Sequence, residues 1–272
     1  YQATLEKFKH LYQTTLQGKI IYPEKTDSFS KKPIYENSFT SNNFLAPACL
    51  PENSDLYFIR SSILNALKKC LPQLNGTVLD VGCGRMPYKP LLLSAETKIT
   101  KYIGLDFEDN PIHSNQLDIA WVDDNIPLDK DSIDCVICTE VLEHCPDPES
   151  VIKEIYRVLK PGGVLFFTVP FLWPLHEVPY DEYRYTPFSL NRYFMNSGFS
   201  DIKIDALGGW DASFAQMIGL WVRRRPMGKI KRKMLSRLIF PLYKYLVNND
   251  NSCTTFKEST IITGLSGICV KS

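Results

Sequence analysis

Apolar positions along the chain follow two rhythms. Short apolar, β-branched runs at residues 77–81, 102–105, 135–138 and 164–169 predict strands, and residues 199–207 read as the sixth. The first is apolar enough to be buried on both faces, as in a parallel sheet. Residues 117–120 are the best candidate for a weakly marked third strand, and residues 260–270 predict the last one. Helical spacing alternates with these runs. Leu5, Phe8, Leu11, Tyr12 and Leu16 predict a helix over 2–17, and Leu56, Ile59, Ile63, Leu64 and Leu67 another over 54–70. Residues 90–93 suggest a short helix. Val151, Ile152, Ile155, Val158 and Leu159 predict one over 149–159, stopped by Lys160-Pro161-Gly162-Gly163. Thr186-Pro187 has the N-cap and first-turn signature of a helix running to Ser197, with Gly198 just beyond its end. Residues 210–245 read as helical and are inserted before the last strand. Residues 22–53, rich in Pro, Ser and Asn, read as a long loop or lid.

Composition narrows the class. The 272 residues suffice for one α/β domain with additions, and 31 basic against 30 acidic residues imply no general attraction to nucleic acid. Eight unevenly spaced cysteines within apparent strands and helices suit a reduced, cytoplasmic protein. Cys135 and Cys138 form a CxxC inside a strand, where residues three apart face opposite sides, so no metal site is expected there or elsewhere. Neither a signal peptide nor a transmembrane span is evident.

The chemistry concentrates at the ends of the predicted strands. The run GTVLDVGCGR places Gly82, Cys83 and Gly84 where the backbone must turn sharply and can approach a ligand. A second run ends in Asp106, about 20 residues on, where an acid can hydrogen-bond ribose hydroxyls. The carboxylate of Asp80 beside the loop would repel a pyrophosphate but suits a ligand bearing ammonium and sulfonium charges. Together with IPLDKDSID, EVLEH and KEIYRVLKPGG, these residues resemble the class I S-adenosylmethionine-dependent methyltransferases over residues 76–209.

The resemblance implies an α/β fold: a Rossmann-like, doubly wound, seven-stranded sheet, mostly parallel with an antiparallel last strand. Around it we expect an N-terminal helical cap or lid (1–74), the binding core (75–208), a basic helical insertion (209–258) and the closing strand (259–272). It also implies S-adenosylmethionine as cofactor. Gly82, Cys83 and Gly84 would offer backbone to its amino-acid part and Asp80 would lie near its ammonium group. Asp106 would hold the ribose, with Phe107 packed beside the adenine. Thr139 and Glu140 would lie near the sulfonium. The usual adenine-binding acid falls on Val122 by register, which leaves Asp123 as its neighbour.

Methyl transfer to a hydroxyl also requires loss of a proton, which a neutral histidine can take near pH 7. Of the four histidines, His10 and His113 lie away from the predicted site. His176 is the first candidate base and His144 the second, with Asp181 or Glu177 as orienter. The segment 170–187 holds a histidine, three acids, an arginine and five aromatics, and Trp173, His176, Tyr180, Arg184 and Tyr185 are candidate acceptor contacts. Arg184 could instead pair with Asp181. The preferred expectation is O-methylation of a small hydroxylated metabolite or sugar. N- or C-methylation and a non-catalytic cofactor-binding partner subunit are the alternatives. Residues 223–244 carry nine basic side chains and no acid, interleaved with apolar ones. Such a segment can be a solvated face, a peripheral contact with the inner face of a membrane through 221–245, or a site for a phosphorylated partner.

Overall fold

The computed structural model describes residues 42–107, 117–122, 125–253 and 255–272. The helix expected over 2–17, most of the lid, His10, His113 and Asp123 lie outside them.

Seven strands form one sheet: β1 (Asn75–Val81), β2 (Lys98–Phe107), β3 (Ile119–Trp121), β4 (Ile133–Thr139), β5 (Leu159–Pro170), β6 (Phe199–Leu207) and β7 (Gly264–Lys271). Their order is β3-β2-β1-β4-β5-β7-β6. β1 to β5 pair in parallel, and β7 runs antiparallel to both β5 and β6. The helices are α1 (Asn42–Leu45), α2 (Tyr57–Cys70), α3 (Lys89–Leu92), α4 (Pro148–Val158), α5 (Pro187–Asn196), α6 (Trp210–Arg224) and α7 (Lys229–Asn249). This is the doubly wound α/β architecture, with its antiparallel last strand, that the resemblance implies.

Period-two alternation divides each central strand between two cores. Val78, Cys135, Ile137 and Phe166 pack with Ile59, Ile63, Leu64 and Leu67 of α2. Leu79, Val81, Val136, Cys138 and Phe167 pack on the other face with Ile152 and Ile155 of α4 and with Leu190 and Phe194 of α5. Cys135 and Cys138 therefore face opposite ways, and all eight cysteines are free thiols.

Local chemistry sets the helix ends. Asp147 caps α4 by accepting from the Ser150 backbone N–H (3.1 Å). Thr186 and Ser189 form a reciprocal capping box on α5, and Gly198 ends it at φ 99°. Two expectations shift. The Lys160–Gly163 stretch belongs to β5 rather than to a stop after α4, because β5 begins pairing with Ile133 already at Leu159. The third strand is Ile119–Trp121, slightly later than residues 117–120.

The insertion before β7 is two helices, broken around Pro226. Asp250, following α7, accepts from the backbone N–H groups of Gly209 and Ala212 at the start of α6 (2.9–3.1 Å). The α6 side chains reach back to the segment before α2: Gln216 Nε2 donates to Asp55 O (2.9 Å) and Arg224 Nε to Asp55 Oδ2 (3.0 Å). No helix among the described residues is long and apolar enough to cross a membrane.

Candidate active site

β1 lies between β2 and β4, so the chain departs in opposite directions on either side of its carboxyl end, where open α/β sheets form their binding crevice. There the backbone turns at Gly82 (φ 69°) and Gly84 (φ 51°). A Cβ on Gly82 would collide with the Val141 side chain, whereas one on Gly84 would meet nothing within 4 Å. Packing and conformation both require the first glycine; the second faces open space that a ligand can enter.

The loop's amides are directed differently from expectation. Gly82 and Cys83 donate to Leu105 O (2.8 and 3.1 Å), and Gly84 donates to Asp106 Oδ2 (2.8 Å). Asp106 Oδ1 accepts from Phe107 N (2.7 Å). Asp106 thus braces the glycine turn, and two such bonds leave a carboxylate able to accept more. Asp80 is buried and accepts from the Tyr102 hydroxyl rather than lying open beside the loop. Burial pushes its carboxyl up to about 7, against the opposing effect of that hydrogen bond.

Phe107 is half exposed and stacks on Trp121 (centroids 5.4 Å apart, 14° between planes). The Trp121 indole N–H is buried without a hydrogen-bond partner among the described residues. A flat aromatic surface, an orphaned donor and the acid ending β2 fit a nucleoside-bearing ligand along this edge.

Across β1, β4 ends in Thr139 and Glu140. Glu140 sits at φ 56° and accepts from the Thr168 hydroxyl of β5 (2.9 Å). Burial raises its carboxyl to about 7. The turn Leu142–His144 follows. Glu143, which sequence reasoning missed, is fully buried, and neither carboxylate oxygen finds a hydrogen-bond partner among the described residues. Burial, then the charge of Glu140, drives its carboxyl well above the ordinary range. Its only signal in the sequence is its place beside the apolar pair Val141-Leu142 just after the fourth strand.

The connection after β5 brings the two expected histidines together, with ring centroids 4.7 Å apart. His176 Nδ1 lies 3.2 Å from Asp181 Oδ2, which also accepts from the His176 backbone N–H (3.1 Å). Arg184 grips both oxygens of Asp181 (2.6 and 2.8 Å). Burial alone would raise the Asp181 carboxyl, but these donors hold it below the ordinary range. With Nδ1 turned to Asp181, Nε2 of His176 is the nitrogen left to act. Burial, then the neighbouring His144, lowers the His176 pKa and keeps the ring neutral. His144 Nδ1 contacts Tyr180 O (2.9 Å), and its Nε2 lies 3.7 Å from Glu143 Oε1 and 3.8 Å from Glu177 Oε2.

Three expected acceptor contacts change character. Tyr185 is buried, its hydroxyl donating to Leu142 O (2.7 Å), so it belongs to the core and cannot meet an acceptor. Arg184 spends its fork on Asp181, and Trp173 lies beneath the Arg224 guanidinium (4.7 Å). Tyr180 remains exposed. No metal was expected, yet donor atoms of Glu143, His144 and His176 lie within 4.8 Å of one another, close enough to hold an ion after small side-chain shifts.

Residues 54–204, more than half of the chain, match the family model described as a methyltransferase domain. A demethylmenaquinone methyltransferase of Oceanobacillus iheyensis is 27% identical over 186 residues, covering 53% of this chain and 78% of that protein. A ubiquinone biosynthesis O-methyltransferase of Pseudomonas entomophila is 34% identical over 105 residues, covering 34% of this chain and 43% of that one, less than half of its length. Among solved structures, a SAM-dependent methyltransferase of Archaeoglobus fulgidus superposes with a TM-score of 0.50 at 18% identity, over 79% of this chain and 96% of that chain.

Proposed function

Since the chain belongs to the methyltransferase domain family and is an S-adenosylmethionine-dependent enzyme, we propose that it methylates a hydroxyl oxygen of a small acceptor, with His176 as base. The observation that carries this reading is the chain of contacts Arg184–Asp181–His176, ending in an imidazole nitrogen at the carboxyl end of the sheet. The cofactor supplies an electrophilic methyl group on a sulfonium. The protein's residues do the rest. Asp106 would hold the ribose, the glycine turn would leave room for the amino-acid part, and Phe107 offers a stacking surface for the adenine. Asp181 fixes the His176 tautomer, and Arg184 keeps Asp181 ionised. His176 Nε2 takes the proton that the acceptor oxygen loses as its bond to the methyl carbon forms and the carbon–sulfur bond breaks.

A hydroxylated, biosynthetic acceptor is supported by the named activity of the Pseudomonas relative. Release of S-adenosylhomocysteine in the presence of phenolic, catecholic and sugar acceptors tests the reading. His176→Ala should lower turnover by about 10²–10⁴-fold while cofactor affinity stays within a few-fold; unchanged turnover removes His176 from the chemistry.

The exposed apolar rows and cations of α6 and α7 support a working position at an anionic membrane surface. Ile230, Met234 and Leu238 repeat every four residues and stand largely in solvent, as do Trp210, Phe214, Met217 and Trp221.

A further inference from the structure

Where α6 and α7 meet the Pro51–Asn53 turn lies a cleft of about 360 Å³ lined by Glu52, Arg223, Lys229, Arg232, Lys233 and Ser236. Four cations face one acid. Three donors at this place have no hydrogen-bond partner among the described residues. The Nε atoms of Arg223 and Arg232 are buried without partners among the described residues, and so is the Ser236 hydroxyl, on a side chain only 5% exposed. Arg223 Nε forms an ion pair with Asp55 Oδ1 at 4.0 Å, too long for a hydrogen bond, while Arg224 Nε donates to Asp55 Oδ2 at 3.0 Å. Arg232 Nη2 donates to Arg225 O (3.1 Å). Buried donors left in this state call for an acceptor, and a tetrahedral oxyanion has enough oxygens for all three.

The surroundings indicate what carries that oxyanion. Lys229 borders both the cleft and a wider apolar groove along Ile230, Met234, Leu235 and Leu238. Ile230 and Leu238 are 80% and 77% exposed. A soluble phosphate would have no use for such a row, whereas a phospholipid presents phosphate and acyl chain together. Both features lie beyond residues 54–204 and so outside the methyltransferase domain match.

We propose that this cleft binds the headgroup phosphate of an anionic phospholipid, with the α7 row resting in the acyl layer. The proposal rests on the membrane-surface position given above and names the site that anchors it. The phosphate oxygens accept from Arg223, Arg232 and Ser236, and Lys229 and Lys233 add charge at the rim.

The test is sedimentation of the full chain with phosphatidylcholine vesicles, with and without phosphatidylglycerol, alongside calorimetric titration with inorganic phosphate. The chain should sediment only with the anionic vesicles. Arg232→Gln with Lys233→Gln should weaken that binding by about tenfold or more. Ile230→Ser with Leu238→Ser should weaken it similarly, both pairs keeping the parent's melting temperature and cofactor affinity. If the serine pair releases the chain and the glutamine pair does not, the membrane position stands and the headgroup cleft is wrong. Phosphate binding without any sedimentation overturns the lipid source and the membrane position together. No binding in either arm removes the site as well.

Discussion

Asp80 is a residue whose burial has a measurable cost. Its carboxyl is raised to about 7, first by burial, with Asp106 adding to the effect. In the unfolded chain the same group titrates near 4. Between these values the folded form keeps a proton that the unfolded form has lost, so stability falls as pH rises through the window and is level above about 7. The span is worth at most about 4 kcal/mol. Asp80→Asn keeps an acceptor for Tyr102 and abolishes the titration. Urea melts should therefore show a stability advantage for the variant that is small at pH 4.5 and reaches its full size by pH 8. An advantage independent of pH would mean that Asp80 is ionised throughout. At this scale the sequence was legible where a residue's type fixes the backbone, as with Gly82 and Gly84, which turn the chain at φ 69° and 51°. It was opaque where the role depends on direction. Nothing in the spacing of Tyr180, Tyr183 and Tyr185 says which ring turns into the core. Glu143 went unnoticed because its burial follows from the way the turn after β4 is covered by the backbone of Glu182 and Tyr183.

At the scale of elements, β6 was readable at both ends, since it starts directly after a helix-ending glycine. The helix α4 was readable to within a residue from the spacing of Val151, Ile152, Ile155 and Val158. The break in the insertion was not foreseen, although Pro226 and Gly228 mark it. One contact between elements is decisive for how β7 docks. Lys271 is buried, and its ammonium donates to Asp131 Oδ1, Tyr156 O and Leu159 O, each at 2.7 Å. It closes the end of α4, where carbonyls lack helical partners, and ties β7 to the start of β5. Lys271→Met should lower the melting temperature by about 5–10 °C, because the three acceptors lose their donor on a buried surface. Thermal melts followed by circular dichroism check this. A shift of a degree or less would show that the carbonyls find other donors.

For the whole molecule, the sheet order matters more than any single contact. The cofactor edge is built by β1, β2 and β4, all local in sequence, whereas the other half depends on a strand threaded between two earlier ones. β5 and β6 have no hydrogen bonds to one another; each pairs with β7. The insertion is held in place from both sides, by Asp250 at its end and by Asp55 before α2, so its exposed face is presented in a fixed direction. A chain ended at residue 260 should keep the first strands yet fail to bind cofactor, and should pellet on expression, since two unpaired edges remain. A soluble, cofactor-binding truncation would show that β7 is dispensable.

That order also sets a timetable during synthesis. At about 5–20 residues per second, a ribosome needs roughly 5–20 s to travel from the end of β5 to the end of β7. Throughout that interval β5 offers an open edge, and once β6 has been made it waits beside it with nothing to join. The nascent chain therefore passes through a period in which another polypeptide could occupy the gap. Slow codons before residue 264 would lengthen that exposure, and a chaperone that shields strand edges would matter most in those seconds.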